Sequence, residues 1–210
     1  MRRWLASALA VVPLAAGCAS SGGRAFAPAT ADAATAARKA WERAAARSPA
    51  QLDANLLYDA SVSGKLLRTD GTLAVRLRGD RVEGTLAGPF GTPIATYANG
   101  ELRGEKLRPV RLPPGQLRAV LAGTWVGADP AVAGENGAEV LLRWAGEETV
   151  EGIFDVGRGE LVSLRIERPE GELEARFSGA RSPWPDRIEI DEKGTGVHLR
   201  LKLLSRETAP

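Results

Sequence analysis

The spacing of the hydrophobic residues changes along the chain, from a helical repeat to strict alternation. Residues 31–47 are rich in alanine and other good helix formers. Their apolar side chains fall on one stripe, which predicts an amphipathic helix. The residues of this stripe are Ala33, Ala37, Trp41 and Ala44. Ser48-Pro49 ends the helix, and Pro49 is suited to open a second helix with the leucines of residues 52–57 on its apolar side.

From about residue 61 onward, apolar and polar residues alternate in short segments that end in Gly, Pro, Asn or Asp. This pattern predicts roughly nine or ten antiparallel strands joined by tight turns. A short stripe at helical spacing, which ends at Gly123, interrupts the strands and predicts a mid-chain helix over 116–122. A sheet of this length with one apolar face must cover that face or curl around it. We therefore predict that residues 31–210 form a mainly β fold, a curved, incompletely closed antiparallel β-barrel with the two helices as its lid.

The N-terminus has the form of a bacterial lipoprotein leader. Two arginines precede an apolar stretch over residues 4–16, which is shorter than the roughly 20 residues of a membrane-spanning helix. The stretch ends in Leu14-Ala15-Ala16-Gly17-Cys18, which matches the lipobox, a motif whose cysteine is acylated and becomes the first mature residue. We expect residues 1–17 to be a signal peptide and residues 18–30 to hold the acylated Cys18 and a flexible tether. An ordinary signal peptide with a bystander cysteine is the alternative.

Composition excludes several classes of function. Of the 210 residues, one is Cys and one is His, which rules out an intramolecular disulfide, a Cys-based zinc site and a multi-histidine metal centre. Without its leader the chain has 26 basic and 26 acidic side chains, so charge does not favour nucleic acid or an anionic lipid surface. The sequence has no Gly-x-Ser-x-Gly motif, and its paired glutamates lie at predicted turns. We expect neither catalysis nor a metal or other cofactor.

The most informative segment is Gly88-Pro89-Phe90-Gly91-Thr92-Pro93, between two predicted strands. Its two glycines and two prolines predict a rigid loop with Phe90 at the centre. Leaving a Phe exposed forfeits about 1.5–3 kcal/mol of burial. Either the loop folds back and buries Phe90, or this side chain contacts a lipid or another protein. The pattern of residues leaves both alternatives open.

Several short motifs, in order along the chain, resemble those of the LolB family, outer-membrane lipoproteins that receive lipoproteins from a periplasmic carrier. Pro89-Phe90-Gly91 resembles the family's Pro-Leu-Gly loop, and Ser63-Gly64-Lys65-Leu66 resembles its Gly-Arg-Leu/Phe-Ala strand. Leu112-Pro113 with the predicted helix after it looks like the family's mid-chain helix, and residues 183–203 look like its C-terminal hairpin. Phe90 stands where the family has Leu, and the Trp expected near the end of the second strand is absent, which indicates a distant relative.

The resemblance implies the same curved, unclosed barrel with a helical lid that the alternation predicts independently. It also implies that Pro89, Phe90 and Gly91 form a membrane or cargo contact loop, with the Phe90 side chain protruding. An Asp after the acylated Cys favours inner-membrane retention in such lipoproteins. Because Ala19-Ser20 follows Cys18 here, we expect a lipid anchor on the periplasmic face of the outer membrane.

Other residues are candidates for the wall or the mouth of an apolar cavity. Trp125, Trp144 and Trp184 are candidates for its lining, with a plain core position as the alternative. Leu66 and Val75 are further candidates for the lining. The mouth could be rimmed by arginines that hold an anionic headgroup, or these could lie in a solvated loop. These residues are Arg103, Arg108 and Arg111. His198 alternates with apolar neighbours and is expected to face solvent.

Taken with the resemblance, these patterns predict an outer-membrane lipoprotein that binds acyl chains of lipoprotein or lipid cargo. It would take this cargo from a LolA-like periplasmic carrier and assist its insertion into the outer membrane without covalent catalysis. The alternative is a structural envelope lipoprotein that uses the same fold as a docking scaffold for other proteins.

Overall fold

The computed structural model describes residues 19–21, 24–65, 68–105, 107–125, 129–146, 148–181 and 183–208. In this part of the chain the helices are α1 (Ala31–Ala46) and α2 (Pro114–Ala122), and a 3-10 turn covers Pro49–Gln51. The strands are β1 (Ala19–Ser21), β2 (Arg24–Phe26), β3 (Ala54–Ser63), β4 (Arg68–Arg78), β5 (Arg81–Ala87), β6 (Pro93–Ala98), β7 (Glu101–Gly104), β8 (Leu107–Arg111), β9 (Ala131–Asn136), β10 (Glu139–Trp144), β11 (Thr149–Asp155), β12 (Glu160–Arg168), β13 (Gly171–Arg181), β14 (Pro185–Glu192) and β15 (Val197–Thr208).

Strands β3 to β15 form one antiparallel sheet of 13 strands. Its order is β8-β7-β6-β5-β4-β3-β15-β14-β13-β12-β11-β10-β9, so that β3 and β15 pair in the middle and join two meanders. The edge strands β8 and β9 do not pair with each other in the described part of the chain. The sheet is nevertheless curled, as shown by Leu107 of β8 and Leu173 of β13, which line the same cavity. The predicted mainly β fold, an incompletely closed antiparallel barrel with an N-terminal and a mid-chain helix, is confirmed.

The concave face of the sheet carries the main hydrophobic core, to which both helices contribute. Helix α1 begins at the N-cap Thr30, whose hydroxyl accepts from the Ala33 N–H at 3.3 Å. Its Trp41 ring packs edge-on against Trp144 of β10 and Phe154 of β11, with ring centroids 5.2 and 5.7 Å apart. Helix α1 therefore covers the β10–β11 region, while α2 lies over the strands of the other meander.

The start of β3 differs from the helix suggested by the leucines of residues 52–57. The structure has a strand from Ala54 in which alternate side chains are buried, including Leu56, Tyr58 and Val62. The adjacent Leu57 lies on the other face and is only half-buried. Because Leu56 and Leu57 are both apolar, the sequence does not show the alternation at the start of this strand, although it continues through the whole strand.

The opposite, convex face has a smaller core beneath the N-terminal segment. Phe26 of β2 is fully buried there against Leu141 and Ile153. Ala27 and Glu135 exchange backbone hydrogen bonds of 3.0 and 2.8 Å, which hold β2 to β9. The expected flexible tether over 18–30 therefore differs from the structure between Arg24 and Thr30, because burial of the Phe26 ring stabilises the docked segment.

Several predictions lie outside the described residues. These are the signal peptide over 1–17, the acylation of Cys18 and the place of Leu66. They stay predictions. Within the described ranges, neither helix has the length and apolar character needed to cross a membrane.

Candidate functional site

An apolar cavity lies between α2 and the concave face of the sheet. Leu117 and Leu121 of α2 form its roof, and side chains of β3 to β8 and β13 to β15 form its walls. The space open to the centre of a water molecule is about 90 Å³. Pro114 starts α2, and Gly123, with a φ of 60°, ends it in the left-handed conformation. Leu117 and Leu121 are four residues apart in this short helix, so both lie on the face towards the cavity.

Two polar side chains reach the cavity wall, and the chain itself satisfies both. The Tyr97 hydroxyl donates to the Leu112 carbonyl at 2.6 Å, and burial raises the pKa of Tyr97 to about 12. The Glu192 carboxylate accepts from the backbone N–H groups of Thr195 at 2.6 Å and Gly194 at 3.2 Å. The wall is therefore suited to hydrocarbon, because neither group needs a polar partner from a ligand.

A buried ion pair adjoins the cavity. Nη2 of Arg168, at the end of β12, lies 3.4 Å from Oε1 of Glu192, and both side chains are almost fully buried. Nη1 of Arg168 donates to the carbonyl of Arg111 at the end of the edge strand β8. Arg168 thus links edge strand β8 to β14 and helps to hold the curl of the sheet around the cavity.

The loop between β5 and β6 presents Phe90 to solvent. Its side chain is 96% exposed. Gly91 N–H donates to the Gly88 carbonyl, Gly88 N–H donates to the Thr92 carbonyl, both at 2.9 Å, and Gly91 has a φ of 75°. Of the two alternatives that the sequence leaves open, burial or exposure of Phe90, the structure shows exposure on a loop held by two backbone hydrogen bonds.

The predicted lining residues occupy different places. Val75 of β4 lies in the cavity wall. Trp144 does not: it is buried in the core on β10, where Trp41 of α1 packs against its ring, so its prediction as a lining residue is corrected to the core alternative. Trp125 is half-buried with its ring centroid 6.5 Å from that of Trp144, and it lines a separate polar groove. Trp184 is a fully buried core residue.

Of the three candidate rim arginines, one is paired within the chain, one is exposed, and the side chain of the third lies outside the described residues. Nε and Nη2 of Arg103 donate to Glu101 at 2.9 and 2.6 Å. The side chain of Arg108 is outside the described part, and Arg111 is exposed.

His198 is half-buried, with its Nδ1 2.5 Å from Oδ1 of Asp191 on the neighbouring strand. In the described ranges, His, Cys, Asp and Glu nowhere form a group of three or more that could hold a metal.

Sequence reasoning missed three buried charged residues. Arg168 and Glu192 are the ion pair beside the cavity, and Arg118 of α2 is 8% exposed. Arg118 lies between apolar residues in a short helix, and a charge in that position was the available signal. Arg168 and Glu192 are far apart in the sequence, and no local pattern predicts that the fold brings their strands together.

Comparison with known proteins places the fold. No model of a known family matches this sequence, and a search of curated proteins finds no match. Among solved structures, a LolA superfamily protein from Nitrosomonas europaea is 14% identical, with 83% of this chain and 94% of that chain covered and a TM-score of 0.52. A DUF1329 family protein from Desulfovibrio piger is 10% identical, with 83% and 92% covered and a TM-score of 0.50.

A third solved structure, a proposed outer membrane lipoprotein-sorting protein domain from Vibrio parahaemolyticus, is 12% identical, with 81% of this chain and 91% of that chain covered and a TM-score of 0.46. At these identities the likeness concerns the fold. The LolA/LolB-like fold that the sequence motifs imply is therefore confirmed as a fold.

Proposed function

We propose that this chain is a lipoprotein of the outer membrane that binds acyl chains of lipoprotein or lipid cargo and assists their localisation. The observation that carries the proposal is the cavity beneath α2, whose wall is aliphatic and whose two polar side chains are satisfied internally. Burial of hydrocarbon there is favourable by about 0.8 kcal/mol per methylene. The resemblance of the sequence motifs to the LolB family, whose members receive lipoproteins, supports this proposal, as does the likeness in fold to a LolA superfamily protein.

The size of the cavity sets the mode of binding. About 90 Å³ holds only a small part of an acyl chain, so a longer chain binds by taking the place of Leu117 and Leu121. Helix α2 then moves outward while the sheet keeps its curl. The exchange replaces one set of apolar contacts by another, and its cost is small compared with leaving the acyl chain in water.

Phe90 supplies the proposed contact with the membrane. Its side chain gains about 1.5–3 kcal/mol when it enters an apolar phase, and the two backbone hydrogen bonds of its loop keep it presented. A contact of this strength is reversible by itself, so it acts together with the lipid anchor proposed at Cys18. Cargo would arrive from a LolA-like periplasmic carrier and leave for the bilayer beside Phe90.

The proposed transfer involves no covalent chemistry. Affinity differences between the carrier, this cavity and the bilayer drive it, because a chain moves towards the site that buries it best. Tyr97 and Glu192, the polar side chains in the described cavity wall, are held by backbone partners and serve as structure.

The test is acyl binding by a soluble form that starts at residue 18 and carries Cys18→Ala. Native mass spectrometry measures retained lipid, and displacement of a fluorescent fatty acid measures affinity. Leu199→Trp places a large ring in the cavity and should weaken the binding by about tenfold or more. Leu204→Trp on the same strand β15 is the matched control, because Leu204 is exposed and lies outside the cavity wall.

Equal binding by both variants would contradict the cavity as the acyl site. A lipid-free mass together with no binding of the probe would favour the second candidate, a scaffold that docks envelope proteins. The small volume of the cavity is the observation on the side of that candidate. The scaffold would capture a protein partner. Leu199→Trp should leave this capture unchanged, and Phe90→Glu should weaken it.

A further inference from the structure

A second, polar groove lies beside α2, separate from the apolar cavity. It runs between the first turn of α2, the 3-10 turn Pro49–Gln51 and the turn between β4 and β5, and about 470 Å³ of it is open to the centre of a water molecule. Its lining includes Arg118, Trp125 and three groups that accept hydrogen bonds. These three are Gln116, Asp80 and Glu148.

Arg118 provides a pair of donors that the chain does not use. Nη1 donates to the carbonyls of Ala50 at 2.8 Å and Leu52 at 3.1 Å, which fixes the guanidinium. Nε and Nη2 are buried, and among the described residues they have no hydrogen-bond partner. These two N–H groups point in parallel and form the edge of arginine that binds a carboxylate or phosphate through two bonds.

Four other arginines of this chain have a carboxylate on that side of the guanidinium. Arg165 and Arg168 also have an Nε without a partner among the described residues, but Nη2 of each pairs with a glutamate. Nε donates to a carboxylate of the chain in Arg103, Arg143, Arg158 and Arg176. For Arg118, Asp53 and Asp80 act only as nearby charges, and desolvation outweighs them, so its pKa lies below the usual value. An anion at Nε and Nη2 would supply the hydrogen bonds that Arg118 lacks and offset its desolvation.

The first turn of α2 also favours an anion. Pro113 is its N-cap, no side chain in the described ranges caps it, and its first turn has no acidic residue. A Cβ on Gly115 would meet no atom within 4 Å, so the groove is open at this point. The free N–H groups and partial positive charge of a helix N-terminus favour an oxyanion.

The remaining polar groups of the groove favour a positive charge. Oε1 of Gln116 is buried and has no partner in the described part of the chain, while its Nε2 donates to Glu148. Asp80 and Glu148 bring two carboxylates against the one guanidinium, so a plain anion is opposed by both. Trp125 also lines the groove, and the face of an indole attracts a cation.

We propose that this groove binds a small zwitterion, with its oxyanion on Arg118 and the N-terminus of α2 and its ammonium group near Gln116, Glu148 and Trp125. The oxyanion is a phosphate, which has enough oxygens to bind the edge of Arg118 and the N–H groups of α2 together. The zwitterion is either a free small molecule or the headgroup of a lipid. Because Nε and Nη2 are shielded from solvent, binding requires a small rearrangement of the groove wall, and the bonds formed there are strong because water is excluded. The site does not depend on acyl binding in the apolar cavity.

The test is isothermal titration calorimetry of the full chain, in a detergent without phosphate or amine groups. The probes are O-phosphoethanolamine, inorganic phosphate and ethanolamine. We expect O-phosphoethanolamine to bind about tenfold or more tightly than either separate ion, since it uses both halves of the site. Phosphate that binds as tightly as O-phosphoethanolamine would overturn the zwitterion. Absence of binding for all of these probes, and for a lysolipid with the same headgroup, would overturn the site.

Two variants assign the binding to the groove. Arg118→Lys keeps the charge and a donor for Ala50 but removes the two-bond edge, so O-phosphoethanolamine should bind about tenfold more weakly. Gly115→Asp places a carboxylate at the first turn of α2, which should also weaken binding while it stabilises the helix. It therefore remains informative where Arg118→Lys fails to fold. Arg103→Lys is the control, because Arg103 is exposed and pairs with Glu101. Unchanged binding in Gly115→Asp, or in a folded Arg118→Lys, would overturn the proposal.

A lysolipid with the same headgroup, used below its critical micelle concentration, distinguishes the sources. Binding of the lysolipid but not of O-phosphoethanolamine, lost in Gly115→Asp, indicates a lipid headgroup. Comparable binding of both indicates that the free zwitterion suffices. Where O-phosphoethanolamine binds, Leu199→Trp should leave that binding unchanged, which separates this site from the acyl cavity.

Discussion

The side chain of Phe26 lies directly over Gly134, so closely that a Cβ built on Gly134 would come within 2.8 Å of the Cβ of Phe26. The same Cβ would lie 2.9 Å from the carbonyl oxygen of Ala27. The absence of a side chain on Gly134 is therefore what allows β2 to dock on the convex face and bury the Phe26 ring. The docked segment begins six residues after Cys18, so an anchor at Cys18 would keep the folded domain close to the membrane.

Gly134→Ala should release this segment or strain its contact with β9. Two close approaches, one of them to backbone, must open, and we expect the free energy of unfolding to fall by about 1–3 kcal/mol. Urea unfolding measures the loss, and faster hydrogen exchange at Ala27 and Glu135 would show where it occurs. Gly146→Ala is the control, since its Cβ would meet nothing nearer than 3.8 Å. Equal stability of the two variants would show that the segment is not held at Gly134.

This docked segment also shows where the sequence could not predict the structure. Alternation is a local signal, and it indicated the open antiparallel architecture and most of the strands correctly, but it gave nine or ten strands where the sheet has 13. The segment from Cys18 to Thr30 is rich in small residues, and its only aromatic residue is Phe26. The partners of Phe26, Leu141 and Ile153, lie more than a hundred residues later, on the face of the sheet opposite to the main core. Only the fold brings them together.

The sequence could predict which side chains face the interior, but not whether a cavity lies beside them. Val75 was found because alternate residues of β4 point inward. Trp144 lies on an inward face too, but whether a position there borders free space depends on the helix above it. Trp41 of α1 fills the space over Trp144, whereas the short helix α2 leaves a cavity beneath Leu117. Helix lengths and contacts of this kind depend on tertiary packing.

Replacement of Phe90 should separate membrane contact from stability. Because the side chain is 96% exposed, Phe90→Glu should change the free energy of unfolding by no more than about 0.5 kcal/mol. Its binding to phosphatidylcholine vesicles, measured by flotation of the form with Cys18→Ala, should fall by about tenfold or more. Phe90→Leu should keep most of the binding. Equal flotation of Phe90→Glu and the parent would mean that the loop does not contact the bilayer.

Tyr97 should make the protein less stable at alkaline pH. Burial raises the pKa of its hydroxyl from the ordinary value of 10 to about 12. Between these values the folded chain keeps a proton that the unfolded chain gives up, so the free energy of unfolding falls as the pH rises from 10 to 12, by up to about 1.4 kcal/mol per pH unit. Tyr97→Phe should lose about 1 kcal/mol at pH 7, because the bond to the Leu112 carbonyl is gone. Above pH 10 its stability should then fall less steeply than that of the parent. Urea unfolding at pH 7, 10 and 11 measures both slopes, and parallel slopes for the two proteins would show that Tyr97 does not titrate in this way.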